Sequence, residues 1–386
     1  FMHHLQYFFC SLMFLTWSLV GPSQAAERPN FVVIIGDDIS WDDYGAYGHP
    51  HIRTPHVDGL ANGGMRFALA VLTTSSCSPS RCSIMTGRYP HATGAGELHQ
   101  PLPEDQLTFA KVLRDEGYYT AAAGKWHLGN APRDHFDAIQ GGGPSGCEQW
   151  IPTLKARDKE KPFFMWFAAI DAHRGWAKNA VDPPHTNKEV VVPPYMPDTE
   201  DVRKDLALYY DEVSRMDEYV GKVVAELKRQ EVFDNTVLIV MADNGRPFPR
   251  CKTTMYDSGI RTPFVVSWPQ EVDAGQVNRN LVSSVDIAAT FVELAGIDIP
   301  GSFQGKSFAQ GLRHASAVSR EYIFAAHNWH DYAAHDRAVR DGRYLYIRNS
   351  FPEYPATPPA DAVRSLSYDS MPVSYTHLTL PTTPYV

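Results

Sequence analysis

"NFVVIIGDD", residues Asn30–Asp38, runs five apolar residues between Asn30 and Gly36 and then sets two carboxylates side by side. An apolar run without polar alternation belongs to a strand covered on both faces, the habit of parallel sheets flanked by helices. Three other segments share this texture: "PFFMWFAAIDAH" (162–173), "TVLIVMADNG" (236–245) and "TPFVVSWP" (262–269). Between them, Leu107–Tyr118, Asp205–Gln230 and Val285–Ile297 carry apolar residues at helical spacing. The second of these ends on Lys and Arg and the third is closed by Gly296, both fitting helix C-termini. Strands alternating with helices predict an α/β domain around a large, mixed but mostly parallel central sheet. From about Glu321 the segments shorten, as in "DGRYLYIRNS" (341–350), which predicts a small antiparallel α+β subdomain.

The whole-chain numbers exclude several classes. With 386 residues, 44% hydrophobic and 20% charged, the chain is long enough for one large domain with an appendage. A net charge of −9 without long Lys/Arg blocks excludes a nucleic-acid binder, while leaving room for a small, locally positive anion pocket. Residues 1–26 read as a signal peptide: an apolar stretch, then Gly-Pro and a small-residue Ser-Gln-Ala-Ala site. Gln6, Ser11, Thr16 and Ser18 make it a poor stable membrane span, so a cleavable segment is the first reading and an uncleaved anchor the second. The expected organisation is then a catalytic domain over 27–315 and the start of a truncated C-terminal subdomain over 316–372. Residues 373–386 read as a non-native tail, and the chain is expected to be exported.

Beyond Cys10, Cys77, Cys82, Cys147 and Cys251 remain, enough for two disulfides in an oxidising compartment. Cys147 and Cys251 are the candidate pair, and Cys82 is expected to be a buried helix residue. No C-x-x-C spacing exists, so a thioredoxin-type or zinc-ribbon site is excluded.

Polar residues gather at the strand ends. Asp37 and Asp38 follow the first strand, Asp243 and Asn244 follow another, and Asp171 and His173 close a third. Lys125 and His127, two apart in "GKWHLG" (124–129), would point to one side of an extended backbone. The carboxyl ends of strands form the ligand crevice of open α/β sheets. Asp37, Asp38, Asp243 and Asn244 would converge there, and three carboxylates together call for a cation. All-oxygen ligation favours Ca2+ or Mg2+ over zinc. Singly, Asp-Asp is an ordinary turn or cap and Asp-Asn-Gly an ordinary tight turn. Their joint placement after strands of one sheet carries the prediction.

In "SSCSPSRCSIMTG" (75–87), Pro79 suits a first helical turn and Gly87 a stop, so Cys77 should head a helix. There the backbone N–H groups favour an anion, and Arg81 lies one turn on, along the same face. A plain thiol in that position would be acidified and nucleophilic. A buried or disulfide-bonded cysteine is the bland alternative.

Cys77-Ser78-Pro79-Ser80-Arg81 resembles the C-x-P-S-R signature of the sulfatases, and "IMTGRYPHATG" continues as theirs does. "RPNFVVIIGDD", "GKWHLG", "ADNG" and "KTTMYDSGIRTPFVV" follow in the family's order, so the resemblance spans about Arg28 to Asn349. It implies the alkaline-phosphatase-like sandwich fold and a cysteine oxidised to formylglycine by a formylglycine-generating enzyme. It further implies Ca2+ held by Asp37, Asp38, Asp243, Asn244 and residue 77, with Arg81 orienting the nucleophile. Lys125 and Lys252 would bind sulfate, His173 would protonate the leaving group, and His127 would act in sulfate release.

"DNGRPFPRCKTTMYDSG" and "VVVPPYMPDTEDVRKDLALYYDEVSRMD" resemble the heparan N-sulfatase (sulfamidase) branch and its bacterial relatives. The chain departs from the family at Asp171-Ala172-His173, where His-x-Pro-His is usual, and at Ala289, where a proline is often seen. The implied substrate is a sulfated carbohydrate, N-sulfated glucosamine first and an O-sulfated sugar second, met in a periplasmic, secreted or lysosomal setting. Glu97, His99, Arg174, His327 and His330 are candidate sugar contacts. A phosphodiesterase or phosphonate monoester hydrolase of the same fold, and an inactive glycan-binding relative, are the competing readings.

Overall fold

The computed structural model describes residues 28–355 and 357–371. The expected signal peptide and the expected non-native tail lie outside these residues. The central sheet has eight strands: β1 (Asn30–Gly36), β2 (Met65–Val71), β3 (Tyr119–Gly124), β4 (Ala138–Gln140), β5 (Phe163–Ala168), β6 (Thr236–Ala242), β7 (Phe264–Ser267) and β8 (Gln276–Ser283). Their spatial order is β4-β3-β5-β1-β6-β7-β2-β8. Only β7 runs against its neighbours, pairing antiparallel with both β6 and β2.

Every residue of β1, β5 and β6 is buried, as their unbroken apolar texture requires. Successive side chains go to opposite faces. Phe31, Val33 and Ile35 pack on one side with Phe109, Leu113, Ile84 and Phe291 from three helices. Val32 and Ile34 pack on the other with Tyr209, Val213, Trp150 and Leu60. The sheet is therefore the filling between two helical layers.

The long helix Glu200–Arg229 starts five residues earlier than its apolar periodicity indicated. Thr199 supplies the reason: its side chain accepts from the Val202 N–H at 3.3 Å, and Glu200 and Asp201 sit in the favourable first turn. A second sheet, β9 (Ile323–Trp329), β10 (Ala333–Arg340) and β11 (Leu345–Asn349), is antiparallel in the order β11-β10-β9. Ile323, Ala325 and Ala338 attach it to Val71, Met255, Ile260 and Leu281 of the main domain.

Candidate functional site

The central pair β1 and β6 runs parallel with Gly36 opposite Ala242, so Asp37 and Asp243 leave the sheet side by side. Backbone bonds lock the two exits: Asp243 N–H donates to Gly36 O at 3.1 Å, and Asp38 N–H donates to Asp243 Oδ1 at 3.2 Å. Into this crevice points the helix Cys77–Thr86, all ten of whose residues are buried. Gly87, in the left-handed region at φ 63°, ends it as expected. Cys77 is its first residue, with Sγ 3.7 Å from Asp38 Oδ1. One ligand atom from each of Asp37, Cys77 and Asp243 lies within 4.8 Å of the other two.

Three cations face the three carboxylates. Arg81, one turn below Cys77, donates through Nε to Asp243 Oδ2 at 2.8 Å and through Nη2 to Asp37 Oδ1 at 3.3 Å. Lys125 pairs with the other oxygen of Asp37. Lys252 Nζ donates to Asp38 Oδ2 at 2.7 Å. Burial acts to raise Asp37, but Lys125 first and Arg81 next outweigh it and hold that carboxyl well below its ordinary range. Asp243 is pushed up instead, by burial first and by the Asp37 charge next. Two carboxylates this close do not ionise equally.

Asn244 donates to Asp38 Oδ1 at 2.6 Å and to Gly245 O at 3.0 Å, which leaves its own Oδ1 buried without a partner. An orphaned carbonyl oxygen beside three carboxylates is a donor set suited to a hard dication such as Ca2+.

Cys77 corrects one expectation. Burial raises its thiol well above the ordinary value, overriding the Lys125 and Lys252 charges, so it is not an acidified nucleophile. The anticipated disulfide is also absent. Cys77, Cys82, Cys147 and Cys251 are all free and buried. Cys251 Sγ lies 3.0 Å from Tyr195 Oη, and Cys147 Sγ lies 3.6 Å from Ser145 O.

Lys125 and His127 reach the crevice by a different route from the one spacing implied. β3 stops at Gly124, and His127 sits at φ 52° in a loop, not on a strand. Its Nε2 lies 2.8 Å from His99 Nδ1, and its buried Nδ1 has no partner. Burial, then Lys125 and Arg81, push His127 down to about 3, so it is neutral. His99 is anchored beside the Cys77 helix, its N–H donating to Ser78 Oγ at 2.8 Å.

His173 lies 3.6 Å from Asp361 Oδ2 through Nε2, and Lys252 is equally far from that oxygen. Asp361 had no signal in the sequence: it sits in a Pro- and Ala-rich stretch, and only the return of the chain brings it here. His330 Nδ1 lies 2.8 Å from Ser76 Oγ, one residue before Cys77, and burial with Lys252 keeps its ring neutral. His327 and His330 line a cleft together with Tyr195, Arg250, Tyr256 and Tyr332.

Two candidates are held elsewhere. Arg174 forms a two-pronged pair with Asp205 at 3.1 and 3.0 Å and donates to Pro247 O, so its guanidinium is spent on packing. Glu97 accepts from Gln100 within its own loop. Asp171 likewise closes its strand but gives its carboxylate to Arg215 at 2.7 and 2.9 Å.

Residues 29–297 match the Sulfatase family model, which covers well over half of the chain. The chain belongs to the sulfatase family. A second model, described as N-sulphoglucosamine sulphohydrolase, C-terminal, matches residues 250–352 of this chain. It is 31% identical to human N-sulphoglucosamine sulphohydrolase over 334 residues, covering 75% of this chain and 64% of that one. It is 29% identical to an ulvan-active sulfatase of Formosa agariphila, covering 85% and 62%. The chain thus spans less than two thirds of the length of either relative. Its fold is the alkaline-phosphatase-like one: it superposes on the phosphonate monoester hydrolase of Agrobacterium radiobacter with a TM-score of 0.71 at 18% identity, covering 83% and 87% of the two chains. Among the described residues no helix is long and apolar enough to cross a membrane.

Proposed function

We propose that this chain is an exported sulfohydrolase that removes sulfate from a sulfated amino sugar of a heparan-type glycan, N-sulfated glucosamine before an O-sulfated sugar. The observation that carries the reading is the convergence of four oxygen-bearing residues, Asp37, Asp38, Asp243 and Asn244, on the buried head of the Cys77 helix. These residues fit Ca2+, and residue 77 fits a small modified side chain made from cysteine by a formylglycine-generating enzyme. When present, the two supply a hydrated aldehyde hydroxyl of lowered pKa as nucleophile and a positive charge beside the sulfate.

The chain's own groups account for the rest. Arg81 fixes the relative positions of Asp37 and Asp243 below the nucleophile. Lys125 and Lys252 are the cations that bind sulfate oxygens and stabilise charge as the bond to sulfur breaks. His173, about one third exposed, is placed to hand a proton to the leaving atom. His127, neutral and with Nδ1 unpaired, is placed to accept one during sulfate release. The cleft lined by His327, His330 and tyrosines suits a pyranose ring, whose faces stack on aromatics and whose hydroxyls need polar partners.

Peptide mass spectrometry over Cys77 of native material tests the reading. A peptide lighter by about the difference between –CH2SH and –CHO is expected, and wholly unmodified thiol would remove the mechanism. Turnover of aryl sulfate is expected to exceed that of aryl phosphodiester; the reverse order would assign the chain to phosphodiester chemistry.

A further inference from the structure

One carboxylate beside the site has no assigned work. Asp361 Oδ1 accepts from the Ala362 N–H at 2.8 Å, which fixes the carboxylate plane at the start of a short 3-10 turn. Its other oxygen, Oδ2, is buried and accepts no hydrogen bond. That oxygen lies 3.6 Å from both His173 Nε2 and Lys252 Nζ, beyond hydrogen-bonding distance in each case. Lys252 is already committed to Asp38 at 2.7 Å, so Asp361 receives only a share of its charge. An ionised oxygen withdrawn from water without a donor is costly unless a partner arrives.

The partner is not a second metal ion. One ligand atom from each of Asp38, His173 and Asp361 lies within 4.8 Å of the others, but the Lys252 ammonium pairs with two of those three residues and already supplies the positive charge. The cleft offers another source, since Pro358 and Pro359 form part of its wall just before Asp361. Thr253 and His330 of the same wall adjoin Lys252 and Ser76, so a sugar reaching inward from the cleft would carry its scissile group toward His173 and Lys252, where Asp361 Oδ2 is the acceptor without a partner.

We propose that Asp361 receives the amino nitrogen of the departing sugar and so selects sulfamates over sulfate esters. This rests on the sulfohydrolase reading above and names the linkage it prefers. When a sulfamate is cleaved, the S–N electron pair goes to nitrogen, sulfur bonds to the attacking oxygen, and a proton from His173 joins the nitrogen. Nitrogen protonated while still bound to sulfur is cationic, and the amine released takes a further proton from water. An ester oxygen is too weakly basic to hold the added proton before its bond to sulfur breaks, and the alcohol released takes up no further proton, so it leaves neutral. The carboxylate faces a full positive charge in the first case and only a neutral hydroxyl donor in the second, so an ion pair adds to the hydrogen bond for the amine alone.

The test compares N-sulfoglucosamine with nitrophenyl sulfate in the matured full chain. Asp361→Asn retains an oxygen for the Ala362 N–H, so a preserved thermal melt is expected. The ratio of kcat/KM for sulfamate over aryl sulfate should fall about tenfold to a hundredfold. Asp361→Glu, which keeps the charge, should recover part of that ratio. A second readout needs no turnover: by calorimetry, glucosamine should bind the wild type more tightly than N-acetylglucosamine does, and Asp361→Asn should abolish the difference. Equal losses on both substrates, or an unchanged ratio, overturn the proposal. Wild-type turnover of aryl sulfate with none of sulfamate also overturns it while leaving the sulfohydrolase reading intact. No turnover of either by fully converted protein overturns both.

Discussion

Arg81 carries a structural duty as heavy as any chemical one. It has no exposed side-chain surface, and its fork spans Asp37 and Asp243, which would otherwise face each other as buried carboxylates. Removing one partner from a buried ion network strands the others, at about 3–5 kcal/mol. Arg81→Ala is therefore expected to lower the unfolding free energy by that amount, read from the denaturation midpoint, and added Ca2+ should restore part of it by supplying charge to the same oxygens. Arg81→Lys should not substitute, because a single ammonium cannot bridge two carboxylates with a planar fork. An unchanged midpoint in Arg81→Ala would mean the pair is neutralised some other way. Lys252 differs, since it touches one carboxylate closely and faces the proposed sulfate. Lys252→Ala should cost on the order of 10²–10³ in kcat, as for one transition-state donor. A loss confined to KM would place it in ground-state binding instead.

The elements that build the crevice depend on close backbone approach at a few points. Gly124 ends β3 at φ 98°, and a Cβ there would sit 1.9 Å from Ala168 O and 2.5 Å from Gly146 O. The next residue is Lys125, whose N–H donates to Ala168 O at 2.9 Å. Gly124→Ala must push β3 and β5 apart and adopt a left-handed conformation, costing about 1–3 kcal/mol in strain alone. Chemical denaturation should show at least that loss, with turnover falling as Lys125 is displaced; a midpoint equal to wild type refutes the account. The element scale also shows what a sequence exposes. The strands at Asn30, Phe163 and Thr236 were legible because burial on both faces leaves an uninterrupted apolar run, and Asp37, Asp38, Asp243 and Asn244 were legible because strand ends in such sheets share one edge. Asp361 was not legible, since its meeting with His173 and Lys252 depends on a chain reversal that no local pattern encodes. Arg174 and Glu97 looked equivalent to His99 in the sequence, but local partners (Asp205 and Gln100) claim two of them. The cysteine pair failed for a similar reason: Tyr195 and Ser145 occupy the sulfurs of Cys251 and Cys147, and burial, not cross-linking, protects them.

At the scale of the whole molecule, the small antiparallel sheet closes one side of the cleft that His327 and His330 line. β9 sets His327 opposite Asp336 of β10 and leads into His330, which bonds Ser76 at the mouth of the Cys77 helix. The attachment is apolar, through Ile323, Ala325 and Ala338 against Val71 and Leu281, so stability of the sheet and integrity of the cleft are coupled. His327 makes that coupling sensitive to pH. It is 4% exposed, and burial first, then Arg337, push it down to about 4 from 6.5. The folded chain therefore keeps His327 neutral where the unfolded chain protonates it. Between those two values the unfolded state binds more protons, so the contribution is fully present above the unfolded pKa and is lost as pH falls toward the folded one. At about 1.4 kcal/mol per pKa unit, the loss between about pH 7.5 and pH 4.5 comes to roughly 2–3 kcal/mol. His327→Asn removes this titrating group and leaves the other buried titrating groups in place, so their contributions cancel in the comparison. Denaturation midpoints of the two proteins should thus diverge on acidification, the wild type losing about 2–3 kcal/mol more than the variant. Parallel curves across that range would show that His327 titrates alike in the folded and unfolded chain and that the sheet's hold on the cleft is indifferent to protons.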